Sequence, residues 1–489
     1  MARQGNSSAA RAARMRATAS YFGAGVIGGG KSVPVPVGMS WDPGFKTKLS
    51  SGTYLTDHVP TAFKPTVTGS TFYVDPVSGN NGNSGLSPVL AVATLRNALG
   101  KVNAASAALV HRIMVNLPSK WVFRGTDGWS ISLTRRCVVE VNGGRAISAL
   151  SATNTALTYT KSSGYTNVYE TALAAAPSRV YDLSLLSPKM LTDIRVPAYA
   201  SAECPNYDKL ASVASIALCD STPGSYFWTG GVLYTHPRDN RASDALVQPV
   251  TSGLNGSWVP ASGVLGATLW VDGIDFVGGS NPMAISEAVA AGGTGGDPTL
   301  RAYFSRCSYQ GSTDANDAFV HVGYGDSYHY HCGAFDSGVD GFSAYGINAA
   351  SNTEPCANRV EIGSGSFNNG IPAQTQANGT TTHNGKVISI APWHLGANNR
   401  TAHFVNACRV WIAGGYIGPS ASVSGASSCS LQIGNGATEP GQLWVDGVTV
   451  LPGSLTDVRV TALATLYHQR MNNLSGLIVD NQGTITQYT

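Results

Sequence analysis

From about residue 265 the chain alternates short apolar runs with Gly, Asn, Asp and Ser, and almost no helical period interrupts it. LWVDGIDFVGG at 269–279 recurs in outline as LWVDGVTVLPG at 443–453. Between them come RAYFSRCSYQGS (301–312), DAFVHVG (317–323), DSYHYHCGAFDSG (326–338), DGFSAYGIN (340–348), NRVEIGSGSFNNG (358–370), GKVISIA (385–391) and HFVNACRVWIAGG (403–415). Each reads as a strand or strand pair closed by a turn. Local hairpins would carry two-residue turns between the runs. Here the recurrence is longer: Cys307 and Cys332 lie 25 residues apart, and each is followed by a turn and then Asp-x-Phe. A helix-free repeat of this length predicts a parallel solenoid in which each coil stacks on the last, with adjacent strands about 4.8 Å apart. Such stacking disfavours charge, because like charges would face each other in every coil.

Upstream the pattern differs. Phe72-Tyr73-Val74 reads as a strand, followed by a Gly/Asn loop and then Val92, Leu95 and Leu99 at helical spacing. The expected helix, Ala93–Val102, would cover the raw end of the first coil, where apolar core and strand edges lie open. Short strands are expected at Arg112–Leu117, Trp129–Leu133 and Val138–Val141. Residues 151–260 break the rhythm: a short helix near Tyr207–Leu218 precedes SYFWTGGVLYTHPRD (225–239), which reads as a hairpin turning at Gly230-Gly231.

The division expected is therefore 1–70 as an attachment and linker segment, 71–150 as the first coils and cap, 151–260 as an insertion, 261–455 as coils, and 456–489 as a C-terminal cap or oligomerisation tail. Met1–Ser20 carries Arg3, Arg11, Arg14 and Arg16 without an acid. It is either a solvated tail or a basic arm for an acidic partner.

Composition agrees with a β-rich chain. Of 489 residues 12% are charged, about half the usual share, and 57 are Gly. A net charge of +3 gives no general pull toward nucleic acid, and no apolar run is long enough for a membrane-spanning helix. No leader-like apolar region precedes the chain's first strands. The eight cysteines form no CxxC pair, so zinc is not expected; free buried thiols are favoured over a disulfide framework.

The chemistry-bearing residues concentrate in 314–340. Stacking Cys307 on Cys332 would set Asp317 beside Asp340, with Asp314 and Asp336 nearby. Two carboxylates about 5–9 Å apart suit glycoside cleavage, one of them with a raised pKa. Asp beside Gly is also an ordinary corner residue. His383 is a further candidate, as a base or as a corner residue. Strand alternation would put His329 and His331 on one face and Tyr328 and Tyr330 on the other, and with Trp393 these are candidate glycan contacts. His321 joins the two histidines without a clear third ligand, so no metal and no cofactor is expected. Lyase chemistry would want a basic residue. Arg359 and Lys386 are present, without an acidic triplet to bind calcium. Trp411 sits in an apolar strand and is expected in the core.

YVDPVSGNNGNSGLSP (73–88) followed by ATLRNAL (93–99) resembles the opening segment of right-handed parallel β-helix proteins of the pectate-lyase-like superfamily. The 225–239 hairpin and TTTHNGKVISI (380–390) are similar to pieces of the same superfamily, with Asn384 where Asp is commoner. The resemblance spans roughly 72–455. It implies an all-β right-handed parallel β-helix with an N-terminal cap helix. It also implies a polysaccharide-binding protein, most like a phage tailspike or tail fibre. On that reading host surface polysaccharide and other virion proteins are partners, the latter through 1–70. The resemblance likewise implies a homotrimer on the phage tail that acts outside the cell, and whether it is a depolymerase stays open. A non-catalytic structural virion protein and a free polysaccharide lyase or glycoside hydrolase are the rival readings.

Overall fold

The chain is described by a computed structural model covering residues 31–488, apart from 152, 252, 261–264, 287–296, 347–355, 371–376, 421–427, 436–439, 453–455 and 472–476. The basic arm expected at Met1–Ser20 lies outside the described residues.

Runs with every second side chain apolar can bury one face only if another strand stacks on them. The chain does this in rotation. Thr268–Asp272, Ile274–Gly278 and Met283–Ser286 belong to three different sheets. Arg301–Ser305, Ser308–Gln310 and Phe319–Val322 then pair with them in parallel, each with its own predecessor. The same order continues to Thr456–Val460. The result is a parallel β-solenoid with sheets of twelve, nine and ten strands, named I, II and III. Thr465–Gln469, Val479–Asn481 and Thr484–Gln487 extend sheets I and III in parallel, so the tail carries on the same stacking.

The corner between sheets I and II has one recurring conformation. Gly273, Arg306, His331, Gly363, Ala391, Gly414, Gly447 and Arg470 each follow a sheet I strand, and all have positive φ, from 49° to 77°. Non-glycine residues pay for this backbone with local strain. Asp336 (φ 49°) and Asn368 (φ 56°) do the same between sheets II and III.

The interior is apolar at both ends. One cluster runs from Phe72 to Phe342, and a second from Val387 to Leu466. Between them lies a coil with polar inward side chains. Phe304, His329, Glu361, Ser389, Ile412 and Val445 form one in-register ladder, and Glu361 falls in its middle. The helix is Leu95–Ala104, two residues later than expected, because Thr94 accepts the Asn97 N–H and sets the N-terminus. Leu95, Ala98, Leu99 and Val102 are buried, packed with Phe72 and Val74 of the first strand.

Two of the three outer faces are covered. On sheet I the ladder Val138, Trp270, Tyr303, Tyr328, Val360, Ile388, Trp411, Trp444, Tyr467 is in register and apolar. Residues 31–67 lie on it. Their three-stranded antiparallel sheet and the turns beside it seat Val33, Met39, Phe45 and Tyr54 against it. This part of the expected linker is thus packed on the solenoid rather than set apart from it. Sheet II is covered by the insertion. Tyr181, Tyr207 and Val250 pack on Ile147 and Val277, and Met190, Ala200 and Cys204 pack on Phe335, Phe367, Trp393 and Leu395. The insertion holds a three-stranded antiparallel sheet and a five-stranded mixed sheet that includes the Ser225–Thr229/Val232–His236 hairpin, with Ala211–Ser212 added in parallel at its edge. The expected helix near Tyr207–Leu218 is shorter, Ile216–Ser221, because Tyr207–Lys209 is a strand.

Candidate functional site

Phe319 and Phe342 are opposite each other in sheet III, which puts Asp317 and Asp340 at matching corners of adjacent coils. The backbone N–H of Asp340 donates to Asp317 Oδ1 at 2.9 Å, and the Ala318 N–H donates to the Asp340 carbonyl at 2.9 Å. Asn378, one coil on, gives Asp340 Oδ1 two further donors: its N–H at 2.8 Å and its Nδ2 at 2.9 Å. The Tyr345 hydroxyl lies 3.5 Å from Asp340 Oδ2, and its ring centroid is 4.8 Å from that of His383.

The two carboxyls are 7% and 2% exposed. Burial, and then the neighbouring charge of Asp340, pushes the Asp317 carboxyl well above the usual carboxylate range. Burial pushes Asp340 up to about 6, against the pull of the Asn378 donors. The pair therefore retains a proton near neutrality. His383 is lowered to about 4 by burial, which leaves it a neutral ring, and its Nδ1 has no partner. Tyr345 is held as a phenol by burial and by the two aspartates. A protonated acid, a carboxylate and a neutral imidazole thus share one neighbourhood.

Beyond the pair, sheet III carries Ser343, Thr381, His403, Gln432, Arg459 and Asp480 in register, so its outer face is polar over that stretch, while the same register holds Ala284 and Val320 in the two coils before it. Among the described residues, no segment like the strap on sheet I or the insertion on sheet II packs an apolar core onto it.

The other candidates are elsewhere. Asp314 is exposed and paired with Arg179 of the insertion at 3.0 Å. Asp336 is a left-handed corner residue that accepts from Asn368 Nδ2 at 2.6 Å. His329 and His331 do not share a face, because His331 is the corner where strand alternation stops. His331 stacks between Tyr199 and Tyr330 and pairs with Glu203. His329 points into the core, with ring centroids 5.5, 4.5 and 5.0 Å from Phe304, Phe319 and Phe342. Tyr328 lies under Phe63, and Tyr330 is stacked by His58, so the strap occupies both rings. Trp393 is fully buried beneath the insertion, its Nε1 donating to Gly363 O at 3.0 Å. None of His329, Tyr328, Tyr330 and Trp393 is placed to stack on a sugar. Trp411 is on the outer face of sheet I rather than in the interior, buried by the strap. Lys386 is tied to Ser40 O at 3.2 Å.

Sequence reasoning missed the interior ion cluster. Arg359 Nε lies 2.8 Å from Glu361 Oε1, and His394 Nε2 and Ser389 Oγ donate to Glu361 Oε2 at 2.9 and 3.0 Å. Alternation hid it: in Asn358–Ile362 the apolar Val360 and Ile362 face the covering segment, and the charged Arg359 and Glu361 face the interior, the reverse of the usual apolar-in reading. Among the described residues no three of His, Cys, Asp and Glu converge to hold a metal ion.

No protein-family model and no curated protein matches the chain. One solved structure to which it is similar is described as the complex structure of XylC with xylose. The TM-score is 0.31 at 9% identity, covering 86% of this chain and 70% of that one. So loose a superposition adds nothing to the strand register, on which the fold rests.

Proposed function

We propose that this chain is a virion protein of the tailspike or tail-fibre type that binds host surface polysaccharide along sheet III and cleaves it at Asp317 and Asp340. The observation that carries this reading is the proton-sharing acid pair at the head of the polar ladder from Ser343 to Asp480 on the outer face of sheet III. Asp317, kept protonated by burial, donates to the glycosidic oxygen, and the Asp340 carboxylate acts as base or nucleophile on the sugar. The virion assignment, the right-handed closed helix and the capping role of Leu95–Ala104 rest on the resemblance of residues 72–99. The burial of Leu95, Leu99 and Val102 supports the cap. Trimer formation through 456–489 and attachment through the N-terminal residues belong to the same proposal.

A second reading, a non-catalytic β-solenoid component of the particle, is favoured by the near-complete burial of both carboxyls. Incubation with host envelope glycan separates the two. Cleavage releases reducing ends, or unsaturated ends if the chemistry is a lyase's, and Asp317→Asn and Asp340→Asn each abolish the release. A parent that binds the glycan but cuts nothing leaves the second reading. Absence of the protein from purified particles overturns both, and with glycan cleavage it leaves a free enzyme.

A further inference from the structure

Three arginines are buried among the described residues: Arg179, Arg359 and Arg400. Arg179 is paired with Asp314, and Arg359 with Glu361. Arg400, 9% exposed, has no carboxylate partner. Its Nε donates to the neutral Gln432 Oε1 at 2.7 Å, and its terminal nitrogens donate to no described group. Gln432 cannot be turned away to suit it, since its Nε2 is committed to Gly434 O at 2.8 Å. Burial strips part of the guanidinium's hydration and lowers its pKa, while its terminal nitrogens, unlike Arg179 Nη1, keep an opening to solvent, so an anion arriving there would meet a cation that no protein carboxylate neutralises.

Its place makes the vacancy meaningful. Arg400 follows Asn378 in the sheet III register, and Asn378 is the residue that holds Asp340. Two strand spacings put it about 10 Å from Asp340, and three put it about 14 Å from Asp317, the reach of a few sugar units. The guanidinium leans to Gln432, which is opposite His403 and Arg459. His403 is buried with an unpartnered Nε2. Arg459 is satisfied by Asp480 at 2.9 Å, so the uncompensated charge is that of Arg400. The carboxyls whose charge bears on Arg400 and its strand neighbours are Asp340, Asp457 and Asp480. Asp340 and Asp480 are engaged by Asn378 and Arg459, and Asp457 Oδ2 accepts the Ile478 N–H at 2.7 Å.

We propose that Arg400, with His403 beside it, receives an anionic substituent of the bound glycan, so that the ligand of sheet III is an acidic polysaccharide. This rests on the glycan-binding reading above. A carboxylate, a sulfate and a phosphate all fit a fork of guanidinium donors.

The test uses the whole chain in two arms. In the first, thermal melting and calorimetry are run with inorganic sulfate and with glucuronate. Saturable stabilisation of the parent is expected, weakened roughly tenfold or more in Arg400→Gln and partly kept in Arg400→Lys. In the second, host envelope glycan is compared before and after chemical reduction of its carboxyl groups, and before and after removal of sulfate and phosphate esters. The treatment that costs binding to the parent, but not to Arg400→Gln, names the anion. Equal small-anion binding by parent and Arg400→Gln overturns the proposal, as does unchanged binding after every treatment. Saturable anion binding with no glycan binding keeps the anion site and removes the glycan reading. Melting of the unliganded variants establishes that Arg400→Gln remains folded, and His403→Gln supplies a second variant if it does not.

Discussion

His394 Nε2 donates to Glu361 Oε2 at 2.9 Å across adjacent coils, in the interior of the solenoid where both side chains are almost fully inaccessible. Together with Arg359, this pair keeps the Glu361 carboxyl well below the usual range despite burial. A carboxyl lowered by folding adds stability above its unfolded pKa of about 4.3 and loses it as pH falls below that value. Glu361→Ala, which strands Arg359 in the core, is expected to cost about 3–5 kcal/mol by denaturant unfolding at pH 7. Replacing Arg359 and Glu361 together by Leu should cost less than that single change. A double variant less stable than Glu361→Ala refutes the ion-pair account.

His329 has no hydrogen bond on either ring nitrogen and is lowered to about 3 by burial, as is His321. A histidine held neutral by the fold weakens it as pH falls from its unfolded value of about 6.5 toward the folded one. Asp340, raised to about 6, acts in the opposite sense over a narrower window. The net expectation is progressive acid destabilisation between about pH 6.5 and 3. His329→Phe fits among Phe304, Phe319 and Phe342 and should stabilise by about 1–3 kcal/mol at pH 7, with a shallower acid limb. A lower unfolding midpoint for His329→Phe would show that the ring is satisfied after all.

Burial keeps Asp317 protonated and raises Asp340 to about 6, so the pair lowers stability at neutral pH. Asp317→Asn is expected to raise the melting temperature at pH 7 while reducing any glycan cleavage by at least about 10²-fold. Cleavage at the parental rate contradicts the role given to Asp317, whatever happens to stability.

The strap makes the position of an N-terminal truncation decisive. A chain beginning at residue 31 keeps every contact described above and should fold. A chain beginning at 71 uncovers Trp270, Tyr303, Tyr328, Trp411 and Trp444 together. It is expected to aggregate, since exposed apolar patches of that extent associate. Sedimentation of the two truncations checks this, and a soluble, monodisperse 71–489 chain would refute it.

All eight cysteines are free and buried. A thiol reagent should therefore label none of them in the native protein and eight in denaturant. Fewer than eight in denaturant without reductant would reveal disulfides.

The repeat was legible in the sequence because a solenoid writes its physics locally. Alternation fixes which side chains turn inward, and the spacing of Cys307 and Cys332 fixes which coils meet. From these came the parallel pairing, the adjacency of Asp317 and Asp340, and the scarcity of charge. Corners were not legible. Alternation lapses where a residue turns left-handed, and Arg306, His331, Asp336 and Ala391 occupy such positions without the glycine that would announce them. His331 was misplaced for that reason.

Which outer faces are covered, among the described residues, was decided only by tertiary structure. Tyr328 and Trp393 look the same in the sequence as an exposed sugar platform. One is covered by Phe63, and the other lies beneath the insertion. The Lys386–Ser40 hydrogen bond closes a separation of 346 residues. Packing at that range leaves no periodicity in the chain, because the covering segment and the covered ladder each satisfy their own local pattern. Only the burial of one against the other removes water from both and decides which ladders, among the described residues, are covered.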